Sequence, residues 1–117
     1  MTIVEKGELY YVDFGKPRGS EQGGYRPVVI IQNDIGNITS PTTIVAPLTS
    51  QTKRNLPTHV VVDHKGLKTT SVILTEQIQT VDKNRLTHYL GKLNDDQINE
   101  VNKALMISLD MERKEND

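Results

Sequence analysis

Apolar positions fall in short runs separated by polar, glycine-bearing segments, a pattern of brief strands rather than long helices. Glu8-Leu9-Tyr10-Tyr11-Val12-Asp13-Phe14 follows Gly7, alternates in part, and is aromatic and β-branched, which predicts a first strand. Lys16 to Gly24 carries no apolar residue other than Pro17, and its glycines predict a long mobile loop. The run Val28-Val29-Ile30-Ile31 places a buried second strand over Arg26–Gln32, and Asn33-Asp34-Ile35-Gly36-Asn37 reads as a turn. Thr42–Leu48 is a third strand with Thr49 at its end, followed by a polar loop, Ser50 to Asn55. Thr58–Asp63 is a fourth strand and His64–Lys68 a hairpin-like turn. Ser71–Leu74 is a fifth strand that bends at Thr75 and continues through Glu76 to Val81. Asp82 starts a single helical turn, and Thr87–Lys92 is a short edge strand.

The last element has the period of a helix. Asn94 and Gln97 have the spacing of a capping box, and Leu93 and Ile98 that of a hydrophobic staple. Ile98, Val101, Leu105 and Ser108 form one line, flanked by Ala104 and Leu109, so one face should pack on the sheet. Several short strands, turn signals and one C-terminal helix predict a mainly β fold, a small, strongly bent antiparallel barrel.

At 117 residues the chain has the length of one domain with a thin core, built from Val, Ile and Leu because it has one Phe, four Tyr and no Trp. Residues 1–110 are expected to form that domain, and 111–117 a charged, frayed tail. The absence of Cys excludes disulfide frameworks and thiolate metal sites and fits the reducing cytoplasm. The first six residues lack the apolar core of a signal peptide, and no apolar run has the length of a membrane span. Of the 15 acidic residues, seven lie from Asn94 on, with only three of the 14 basic ones, so the first 93 residues carry a mild positive bias. That bias is compatible with an anionic partner but well short of a strongly basic nucleic-acid binder.

No Walker loop, zinc motif or close carboxylate cluster is present, so no metal or cofactor is expected. The histidines His59, His64 and His88 are dispersed over a strand, a turn and the edge strand. Arg26 and Thr49 remain, each at a strand terminus beside a polar loop. Pro27 biases Arg26 towards an extended backbone, which sets a cation at the mouth of a strand, where a phosphate could be held. The plain alternatives are a solvated arginine and a strand-end hydroxyl. If the phosphate belongs to RNA, cleavage needs no metal, because the 2′-hydroxyl can attack the adjacent phosphorus and the protein need only stabilise the phosphorane and move two protons. A guanidinium suits the equatorial oxygens and a threonine hydroxyl can orient the phosphate. The base is left open between a placed water, a group of lowered pKa and the arginine itself.

Three ordered blocks carry a resemblance to a known family. Gly19-Ser20-Glu21-Gln22-Gly23-Gly24-Tyr25-Arg26-Pro27-Val28-Val29-Ile30-Ile31-Gln32-Asn33-Asp34 resembles the signature of the MazF/PemK toxin endoribonucleases. Ser40–Thr49 and Ser71–Asp82 are similar to that family's second and third blocks, and the likeness runs from about Lys6 to Leu109. The resemblance implies an SH3-like barrel of the CcdB/PemK type, working as a homodimer in the cytoplasm. It implies a sequence-specific, metal-independent single-strand mRNA endoribonuclease, the toxin of a toxin–antitoxin pair held inactive by a MazE-like antitoxin. The family's catalytic Arg and Thr match Arg26 and Thr49.

Substrate contacts are then expected from two loops. Ser20, Glu21, Gln22 and the backbone of Gly23 and Gly24 can read base edges, and Gln51, Thr52, Lys53 and Arg54 can hold phosphates. Glu76 and Gln77 can meet a splayed base, and Tyr25 or Phe14 either stacks on a base or packs the core. Two features depart from the family pattern: Pro47, which suggests an edge position, and a short Ser50–Thr58 segment. A CcdB-like gyrase poison on the same fold is the alternative, though such proteins end in a Trp-bearing tail, and this chain has no Trp. An inert SH3-like adaptor is the third reading.

Overall fold

The computed structural model describes residues 3–50 and 55–111. Seven strands and two α-helices follow in chain order, with single 3-10 turns at Thr75–Gln77 and Lys83–Arg85: β1 (Glu8–Asp13), β2 (Tyr25–Ile30), α1 (Asp34–Thr39), β3 (Thr42–Thr49), β4 (His59–Val62), β5 (Ser71–Leu74), β6 (Gln79–Asp82), β7 (Thr87–Lys92) and α2 (Asp95–Ser108). All the pairings are antiparallel, in the order β4-β5-β3-β2-β1-β7. β3 is the hub. One of its edges pairs β2; the other pairs β6 through Thr42–Val45 and β5 through Leu48 and Thr49. The mainly β class with a C-terminal helix is as expected, but the sheet stays open, because the ladder ends on β4 and β7 without joining them. The register between β1 and β7 slips twice, passing over His88 and Leu90, and His88 takes a left-handed φ of 42°. Such bulges blunt an outer strand against further pairing.

Alternation along the strands divides the core between the two faces of the sheet. Leu9, Val29, Ala46, Leu48 and Ile73 are buried with Val60, Val62, Val101 and Ala104, so α2 lies against this face. Tyr10, Val12, Val28, Ile30, Val45 and Val81 form the second layer with Val4, and Phe14 and Leu86 pack at its margin. The capping box of α2 forms as its sequence predicts: the Gln97 amide donates to Asn94 Oδ1 at 2.8 Å and the Asn94 amide to Gln97 Oε1 at 3.0 Å. Ser108, on the predicted line, donates to the Thr75 carbonyl at 2.9 Å, whereas Leu109 caps the helix and is exposed.

Two expectations need correction. The segment read as a turn at Asn33–Asn37 is the start of α1. Asn33 caps it by accepting from the Gly36 amide at 2.8 Å, and the same Asx side chains serve a turn or a helix cap. Pro47 does not stand on an edge strand. It lies inside β3 opposite Val28, at the point where the other edge of β3 passes from β6 to β5, so no partner on that side lacks a donor.

Candidate active site

The β2–β3 ladder sets the geometry of the site. Ile30 pairs with Val45, Val29 with Ala46 and Val28 with Pro47. Continuing that register to the end of the ladder sets Arg26 across from Thr49. The two side chains line one cleft of about 350 Å³ together with Tyr11, Tyr25, Lys68, Thr69 and Ser71. Two cations and several hydroxyls face this space and no carboxylate does, so its chemistry favours an anion.

Arg26 is half-buried and held at two points: Nε donates to the Gly23 carbonyl at 2.7 Å and an Nη1 hydrogen to the Leu48 carbonyl at 3.1 Å. A guanidinium has five N–H donors, so most of its fork is left for a ligand. Burial lowers its pKa from the ordinary guanidinium value, but a guanidinium remains a cation at neutral pH. The arginine is thus oriented by backbone oxygens from two elements rather than paired to an acid, which would have cancelled its charge.

The loop between β1 and β2 carries the Gly23 carbonyl, and it is tied down rather than loose. Gly24 donates to the Gly15 carbonyl at 2.6 Å and Phe14 to the Gly24 carbonyl at 2.9 Å. The Gln22 amide donates to Gln77 Oε1 at 2.8 Å, and Gln77 Nε2 reaches the Ser20 carbonyl at 3.4 Å. Gln77 therefore stitches the loop to the turn after β5.

Glu21, Gln22, Glu76 and Gln77 line a second cleft of about 360 Å³, separate from the one that holds Arg26 and Thr49. Pro47 lines this cleft while Leu48 and Thr49 line the first, so successive residues of β3 serve both. Glu76 is also engaged: it accepts from Thr58 Oγ1 at 3.1 Å and bonds His59 Nε2 at 2.9 Å. His59 Nδ1 accepts from the Leu56 amide, so its neutral form carries the proton on Nε2, facing Glu76. Gln51, Thr52, Lys53 and Arg54 lie outside the described residues.

None of the three histidines lines the arginine cleft. Among the described residues no three His, Asp or Glu side chains converge as a metal-ligand set, and no helix is long and apolar enough to cross a membrane. The sequence reading missed Lys68, Thr69 and Ser71. Lys68 and Thr69 arrive from the β4–β5 connection and Ser71 from the start of β5, and only the tertiary pairing of β5 with β3 brings them beside Thr49.

Comparisons with known proteins identify the family. The family model described as PemK-like, MazF-like toxin of type II toxin-antitoxin system matches residues 5–109. The endoribonuclease EndoA of Bacillus subtilis (strain 168) is 54% identical over 110 residues, covering 92% of this chain and 95% of its own. Among solved structures, an endoribonuclease in complex with its cognate antitoxin from a mycobacterial species superposes with a TM-score of 0.81 at 27% identity, over 95% of this chain and 99% of that one. MazF from Deinococcus radiodurans gives 0.80 at 26% identity, over 95% and 100%. With a family match that spans nearly the whole chain and a relative this similar, the chain belongs to the PemK-like, MazF-like toxins of type II toxin–antitoxin systems.

Proposed function

We propose that this chain is an endoribonuclease, the toxin of a toxin–antitoxin pair, that cuts single-stranded mRNA in the cytoplasm without a metal. The observation that carries the reading is the shared cleft: an arginine with donors to spare and a threonine at the end of one ladder, with no acid beside them. The names of the relatives support the reaction class.

A phosphodiester seated against Arg26 is attacked by the neighbouring ribose 2′-oxygen. The new P–O2′ bond forms, the P–O5′ bond breaks, the 2′-proton leaves to a base and the departing O5′ takes a proton. The first products are a 2′,3′-cyclic phosphate and a 5′-hydroxyl. Charge grows on the non-bridging oxygens in the phosphorane, and the fixed guanidinium answers it there. Thr49 orients the phosphate from the facing strand. Because the nucleophile is the 2′-hydroxyl, DNA is not a substrate. The second cleft, with Glu21, Gln22, Glu76 and Gln77, is suited to base edges, since carboxylate and amide groups can accept from or pair with exocyclic groups.

Purified protein should cut a long transcript in the presence of chelator, leave DNA intact, and lose at least roughly ten-fold in rate on Thr49→Ala. Cleavage that vanishes with chelator would remove the metal-free mechanism, and unchanged cleavage by Thr49→Ala would remove Thr49. The comparisons favour this over a gyrase poison.

Residues 1–110 act as one toxin domain, and a MazE-like antitoxin is the inhibiting partner. Two copies pair: Ile35 and Ile38 of α1 are 78% and 74% exposed, an apolar face that a second copy would cover. Sedimentation should give twice the 13.1 kDa chain mass, and a monomer at micromolar concentration would refute the pairing.

A further inference from the structure

The aromatic residues at the arginine cleft are arranged in a way that the cleavage chemistry does not require. Register pairs Tyr11 with Pro27 and Asp13 with Tyr25, which makes Tyr11 and Tyr25 diagonal neighbours on adjacent strands. Their rings lie parallel, 4.7 Å between centroids and 4° between planes. Both line the cleft that holds Arg26 and Thr49. Tyr25 is nevertheless 53% exposed. A ring covered on one face by a parallel ring and still half-exposed presents its other face to solvent.

The far end of Tyr25 is pinned as well. Its hydroxyl lies 3.1 Å from Thr87 Oγ1, which in turn lies 3.3 Å from the Tyr11 carbonyl. An aromatic face so fixed loses little freedom when it takes a flat ligand. Phe14, the other aromatic candidate, lies in the second cleft and packs against the core.

We propose that the Tyr11–Tyr25 pair is a stacking platform for the nucleobase next to the phosphate held by Arg26. The inference rests on the ribonuclease reading of the cleft and adds a residue that positions substrate by its π-face. A base stacked on Tyr25, beside a phosphate on Arg26, fixes the strand at two adjacent groups. Stacking is tolerant of base identity, so the platform supplies affinity and register, while the second cleft supplies preference.

The test compares Tyr25→Leu, Tyr25→Phe and Tyr25→Trp on a single-stranded RNA that the wild type cuts. Leu should raise KM roughly ten-fold or more with a smaller change in kcat, whereas Phe and Trp should stay within about two-fold. The chain has no other Trp, so Tyr25→Trp is also a direct reporter. Its emission should be quenched by adenosine 3′-monophosphate and not by inorganic phosphate. An unchanged KM in Tyr25→Leu, or emission blind to the nucleotide at concentrations that inhibit the wild type, would overturn the platform. If Tyr25→Leu does not fold, the emission measurement decides alone. A wild type that cuts no RNA would defeat the ribonuclease reading, while a cutting wild type with an indifferent Tyr25 would defeat only the platform.

Discussion

Arg26→Ala should lower kcat/KM for RNA cleavage by about 10²- to 10³-fold, the loss seen when one preorganised oxyanion donor is removed. The fold should survive. Arg26 belongs to neither core layer, and its two hydrogen bonds go to backbone carbonyls at the rim of a cleft, where water can replace it. Arg26→Lys should recover only part of the activity. An ammonium keeps the charge, but it lacks the planar fork that reaches the Gly23 and Leu48 carbonyls while still offering donors to a phosphate. Single-turnover cleavage of a defined transcript measures both variants, with thermal melting as the check on folding. A folded Arg26→Ala protein that still cuts at the wild-type rate would show that the guanidinium does not touch the reacting phosphate.

Much of this site could be read from the order of residues because its parts are local. Pro27 restricts its neighbour, the apolar run Val28–Ile31 buries β2, and a strand-end threonine needs only Thr42–Leu48 to be a strand. The meeting of Arg26 with Thr49 follows from the β2–β3 register, which the apolar alternation sets. Residues brought in by distant pairing could not be read this way. Lys68 and Thr69 sit in a connection whose composition looks like any polar hairpin, Ser71 opens β5, and they reach the cleft only because β5 pairs with the last two residues of β3. The division of the polar candidates into two clefts was equally hidden. It depends on which side of β3 each loop falls.

The open sheet and α1 show a different limit. Short strands and one helix specify a layered β fold, but closure of a barrel depends on whether the outer strands meet. The left-handed backbone at His88 has no signal in the local sequence, and of the double register slip in β7 only Gly91, a glycine inside a strand, gives a sign. At α1, Asn33 announces a backbone amide to be capped, and whether a turn or six residues of helix follow is decided by packing. Buried Asn37 accepts from Thr43 Oγ1 at 2.7 Å and donates to the Gln32 carbonyl at 3.0 Å.

Gly23→Ala tests whether the loop positions the arginine or merely covers it. A Cβ on Gly23 would stand 2.4 Å from the Pro17 backbone nitrogen and 2.6 Å from its Cδ, closer than any relaxed contact. The neighbour is backbone and a rigid ring, so it cannot swing aside. The Gly23 carbonyl that accepts from Arg26 Nε must move instead. A displacement of about 1 Å in a group that positions the reacting phosphate can cost on the order of 10²-fold in rate, which is the fall in kcat expected here. Melting temperature should change little, because neither core layer includes the loop. Gly19→Ala is the control in the same loop: φ of +59° makes it mildly strained, but its Cβ would meet nothing within 4 Å, so cleavage should stay near the wild-type rate. Equal activity in the two variants would mean that the arginine is aimed by Leu48 alone and that the glycine pair before it matters only to the turn.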